Sequence, residues 1–112
     1  MIAVKKFKRQ PLPRQLGALA ATLGRVAFCA RLAHPTETLY PLFTESIQVI
    51  EWIAPDAPPD IAAELIDMQV LLGLWRKSWP VAQAHSPQPV LLALQVKKWS
   101  DQVLDYSGLL DA

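Results

Sequence analysis

The sequence predicts an all-α fold: a small four-helix up-down bundle preceded by a basic N-terminal arm. Three observations predict it. Apolar residues recur at spacings of three and four along four separate stretches, which is the period of a helix face and not the alternation of a strand. The chain has ten prolines in 112 residues, and they fall mainly between those stretches. The stretches are roughly 15–20 residues long and their connectors roughly 3–10, lengths that suit antiparallel helical neighbours.

Residues 1–13 form the expected arm, ending in Pro11-Leu12-Pro13, and residues 14–112 the single helical domain. The first helix is expected over 14–33, with Leu16, Leu19, Leu23, Val26, Ala30 and Ala33 on one face. The second, over 38–54, carries Leu39, Phe43, Ile47 and Ile50, with Pro41 confined to its first turn or marking its start. The turn Pro55-Asp56-Ala57-Pro58-Pro59 then offers Asp60 as N-cap to a third helix over 60–79, which Pro80 is expected to stop. That helix has the most regular stripe: Ile61, Leu65, Met68, Leu72, Trp75 and Trp79. Its acids Asp60, Glu64 and Asp67 come early and Arg76 and Lys77 late, matching the helix dipole. The fourth helix, over 89–107, repeats the register with Leu92, Val96, Trp99, Val103 and Tyr106, and Gly108 is placed to cap it.

Composition sets limits on function. Charged residues make up 19% and the net charge is +1, which excludes a disordered polyelectrolyte. Apolar residues, at 52%, exceed what one small core hides, so part of them should form a self-association or partner surface. The charge is segregated. Seven basic residues (Lys5, Lys6, Lys8, Arg9, Arg14, Arg25, Arg31) precede the first acid, Glu37, and the chain beyond it is net acidic. Such a split suggests an interaction arm or a leader. A secretory leader is disfavoured because Arg25 and Arg31 interrupt the apolar run, and a mitochondrial one because the start lacks serine. No membrane span is expected, since the longest uncharged run, Ser78 to Val96, contains three prolines. The single cysteine, Cys29, forms no intramolecular disulfide and suits a reducing, cytoplasmic compartment.

No catalytic pattern is met in the sequence. His34 and His85 lack the Glu-x-x-His context of a di-iron bundle and lie beside prolines, as solvated loop residues do. Cys29 has no evident base to activate it. Glu64 and Asp67 share a helix face, but Gln48 stands where a preceding helix would need a second carboxylate after Glu45. The four glycines are scattered and form no phosphate loop. The expectation is a protein that is not an enzyme and takes no cofactor and no metal.

The features that remain point to binding. Lys5, Lys6, Lys8, Arg9 and Arg14 surround Phe7 in the arm, a cationic and aromatic cluster suited to an acidic protein partner. Gly17, Ala21, Gly24 and Phe28 recur along the first helix, away from its leucine stripe, as a small-residue ridge for close packing within the bundle or for a self-association or partner surface. On the third helix Ile66 and Val70 lie opposite Trp75. Trp52, near the end of the second, is a candidate anchor. The reading is an interaction module, an adaptor, assembly factor or regulator, homodimeric and binding a protein through an apolar helix face and its arm. The alternative is a nucleic-acid accessory protein whose arm and Arg25 contact phosphates.

Overall fold

Proline opens three of the four long helices. It stands at or beside the first position of each, where its missing N–H costs nothing and its φ is already helical. The computed structural model describes residues 4–32 and 36–109. They form a short helix α1 (Val4–Lys8), then α2 (Leu12–Cys29), α3 (Thr36–Ile53), a 3₁₀ turn over Ala54–Asp56, α4 (Pro59–Ala82) and α5 (Gln88–Ser107). No strand occurs among the described residues.

The periodic stripes meet in one core. Leu16, Leu19, Leu23 and Val26 of α2 face Leu39, Phe43 and Ile50 of α3, with Leu65, Leu72 and Trp79 of α4 and Leu92, Val96 and Val103 of α5 completing it. The most extensive pairing is α2 on α5. α2 also packs on α3, α3 on α4, and α4 more lightly on α5. Phe43 and Trp79 meet edge to face, ring centroids 6.4 Å apart. Polar clips cross each seam. The Ser100 hydroxyl donates to the Ala20 carbonyl at 2.7 Å, the Gln69 amide to the Ile47 carbonyl at 3.1 Å, and the Trp75 indole to Gln95 Oε1 at 2.8 Å.

Several boundaries differ from expectation, each for a local reason. α2 begins at Leu12, not 14, because Pro11 and Pro13 start a helix as readily as they end a loop. It ends at Cys29, and Ala33 and His34 lie outside the described residues. Pro41 sits beyond the first turn of α3, which starts at Thr36. The helix begun by Pro59 makes Asp60 a first-turn acid and not the N-cap. Pro80 does not stop α4, which runs on to Ala82. Trp79 is fully buried and Ala82 is buried, so packing on both sides of the proline holds the last turn against the lost hydrogen bond. Gly108, at φ 70°, ends α5 in the left-handed conformation that glycine adopts without strain. Trp75 is only half-buried, whereas Trp79 and Trp99 are core.

The largest difference concerns the N-terminus, which holds a docked helix where a loose arm is expected. Phe7 of α1 is buried and packs on Trp52 of α3, ring centroids 5.4 Å apart. The buried Gln15 side chain of α2 holds the segment from below, its amide nitrogen donating to the Gln10 carbonyl at 2.8 Å. Lys8 pairs with Asp56 at 3.6 Å on the surface.

Candidate functional site

A groove of about 910 Å³ runs between α2 and α3 and is closed at one end by α1. Helix periodicity builds its walls. On α2 the positions Ala18, Ala21, Thr22 and Arg25 fall on one side, three or four residues apart. On α3 Pro41, Thr44, Glu45 and Gln48 do the same, extended by Tyr40, Val49 and Trp52. The alanines keep the α2 wall low, and Phe7 with Trp52 forms an aromatic end wall.

A polar cluster crosses the groove. Arg25 Nη2 donates to Glu45 Oε2 at 3.0 Å and to the Thr22 hydroxyl oxygen at 3.0 Å. The single hydroxyl proton of Thr22 is shared between Glu45 Oε2 at 2.9 Å and the Ala18 carbonyl at 3.1 Å. Thr22 is buried while Arg25 and Glu45 remain about half exposed, so the pair ties α2 to α3 at the groove's edge. An ion pair so exposed contributes at most about 1 kcal/mol. Its consequence is chemical: the Arg25 charge is matched by Glu45, and the cationic character of this side comes from α1 and the start of α2. There Lys5, Lys6, Arg9 and Arg14 are all exposed.

The residues singled out in the sequence separate into three places. Phe7, Ala21 and Trp52 come together in the groove. Lys5, Lys6 and Lys8 lie on α1, Arg9 in the turn after it and Arg14 at the start of α2, close in sequence to Phe7, and none of the five lines the groove. Gly17 and Gly24 turn toward α5: a Cβ on Gly17 would lie 2.9 Å from Leu109 Cδ1, and one on Gly24 3.6 Å from Ser100 Oγ. Their small size therefore serves close packing within the chain. Phe28, farther along the same helix, is 67% exposed and stands apart from the groove.

Sequence reasoning missed two things. Glu45, Gln48 and Tyr40 line the groove, yet on a helix they read as ordinary solvated positions. The outer face of α4 is also more apolar than Ile66 and Val70 alone indicated, since Leu74 at 57% and Val81 at 66% exposure lie along it as well. Across α5, Leu91 and Leu94 are exposed too. No cluster of three or more metal-ligating side chains occurs among the described residues, and none of their helices is long and apolar enough to cross a membrane. Cys29 is a free, half-buried thiol. Comparison with family models, with curated proteins and with solved structures gives no match.

Proposed function

We propose that the chain is a non-enzymatic protein-interaction module, an adaptor, assembly factor or regulator of the cytoplasm, built as an up-down four-helix bundle. Its groove between α2 and α3 receives an amphipathic, acidic segment of a protein partner. One observation carries the reading: an open, mostly apolar groove ends in an aromatic wall whose Phe7 belongs to α1, and the exposed cations Lys5, Lys6, Arg9 and Arg14 flank that residue along α1, the turn after it and the start of α2. Apolar walls supply the binding energy, and peripheral charges steer a complementary partner and accelerate its arrival. The succession of helix contacts, α2 with α3, α3 with α4 and α4 back to α5, supports the bundle.

The nucleic-acid alternative is weakened by one contact. Arg25, which would have extended the cationic surface, pairs with Glu45. What remains is a small basic cap beside an apolar trough, better suited to a peptide than to a phosphate backbone.

A photo-crosslinking amino acid at Gln48, used in the native host, tests the proposal. The expected product is a discrete protein adduct whose crosslinked peptide combines apolar and acidic residues. Ala21→Arg, which fills an exposed groove position without touching the core, should abolish it. Tight, steeply salt-dependent binding of a DNA or RNA oligomer, with no protein adduct at Gln48, would refute the reading.

A further inference from the structure

The outer face of α4 has no role in the groove, and it has a pattern of its own. Ala63, Ile66, Val70, Leu74, Lys77 and Val81 follow one another at spacings of three and four, so they form one stripe along the helix. Ile66, Val70, Leu74 and Val81 are 47%, 58%, 57% and 66% exposed, on the side away from the buried Leu65, Leu72 and Trp79. Four large aliphatic side chains in a row on one exposed helix face are more than scattered surface apolarity.

The stripe is also nearly symmetric about the level of Leu72. Reversing the helix about that point places Val70 opposite Leu74, Ala63 opposite Val81 and Asp67 opposite Lys77, with Ile66 opposite the small Ser78. One charge pair reinforces the reversal: exposed Asp67 falls opposite exposed Lys77, whereas Asp60, Glu64 and Arg76 fall opposite Ala84, Pro80 and Met68. A parallel neighbour would set like charges together, and an antiparallel one sets acid against base. Two-fold symmetry gives an antiparallel pairing automatically, because an isologous interface matches residue i with j and j with i.

We propose that α4 is the seam of a homodimer in which a second copy packs its own α4 antiparallel, with Val70 against the partner's Leu74 and Asp67 within reach of the partner's Lys77. The seam from Ala63 to Val81 is about 27 Å long at 1.5 Å per residue. It leaves the groove between α2 and α3 open, so it is independent of the partner reading above. A dimer presents two grooves, and a bivalent partner would gain avidity from that arrangement.

Sedimentation and light scattering over a concentration series test the seam. The mass should rise from 12.5 kDa toward twice that value as concentration increases. Leu74→Glu should weaken dimerisation by about a hundredfold, two buried leucines being lost per dimer. Asp67→Lys and Lys77→Asp should each weaken it by about tenfold, since each sets like charges face to face. Mixing those two variants should restore a dimer, as every seam pair is again opposite in sign. All three substitutions are at exposed positions, so an unchanged circular dichroism spectrum identifies loss of pairing and not of folding. Ala21→Arg, in the groove, should leave the mass unaffected. A wild type that stays monomeric at high concentration, or a dimer indifferent to Leu74→Glu and to the charge exchange, would overturn the proposal.

Discussion

Replacing Trp79 by phenylalanine should change the stability of this protein far less than its burial suggests. Trp79 is fully buried between α3 and the rest of the core, and its indole Nε1 has no hydrogen-bond partner among the described residues. Two effects oppose each other. Phenylalanine has about three fewer heavy atoms, which at about 0.8 kcal/mol per buried methylene equivalent costs about 2 kcal/mol. It also removes a buried, unpartnered N–H, whose desolvation penalty is about 1–3 kcal/mol. The net change should lie within about 1 kcal/mol of zero. Trp79→Ala gains the same relief but loses the whole side chain and the edge-to-face contact with Phe43, so a cost of about 3–5 kcal/mol is expected. Urea denaturation followed by far-ultraviolet circular dichroism measures both, and an unchanged slope would show that the unfolding reaction is the same. A phenylalanine variant nearly as unstable as the alanine one would show that the nitrogen is partnered and the reasoning wrong.

Trp75→Ala should cost only about 1–2 kcal/mol, since the half-buried ring loses partial burial and one hydrogen bond to Gln95; a loss as large as that of Trp79→Ala would place Trp75 in the core. Gly73→Ala should stabilise the domain by about 1 kcal/mol, because a Cβ there meets nothing within 4 Å and glycine is a poor residue inside a helix. A thermal melt decides that sign. Lys5→Glu with Lys6→Glu should leave the melt unchanged and slow capture of an acidic partner, as exposed peripheral charges act on association rate. This pair tests the basic cluster more cleanly than truncation, which would also strip Phe7 from Trp52.

The core was legible because it is periodic. The leucines of α2 and the aliphatic stripes of α3 and α5 keep a three-four spacing that admits one buried side. α4 was harder for the same reason inverted: it is apolar on several sides, so periodicity finds the helix without saying which side meets water. Its continuation through Pro80 depends on what Trp79 and Ala82 touch, and the local rule for proline contains no such term. The docking of α1 centres on Phe7 meeting Trp52 from a distant part of the chain, with the Gln15 and Lys8 contacts beside it, and isolated contacts of that kind have no period. The groove was the least legible feature. Phe7, Ala21 and Trp52 each stand out in the sequence for separate reasons, but only the crossing of α2 and α3 brings them to one place. Their polar neighbours Thr22, Glu45 and Gln48 look in sequence like any solvated helix surface.

The close approach of Leu109 to Gly17 has a consequence for how the chain assembles. It brings the end of α5 against the start of α2, and the bond from Ser100 to Ala20 in the same seam spans 80 residues. The most extensive helix pairing is thus also the one that must close the longest loop, and its entropy is lost before its contacts form. The hairpins α2–α3 and α3–α4 need only short closures, so they should form first and α5 dock last. A circular permutant, with its ends joined by a short glycine-serine linker and opened in the connector between α4 and α5, would leave only the short α1 between α5 and α2. Shortening that closure about twofold removes about 0.7 kcal/mol of loop entropy from the docking step, and folding should speed up accordingly while the native contacts stay the same.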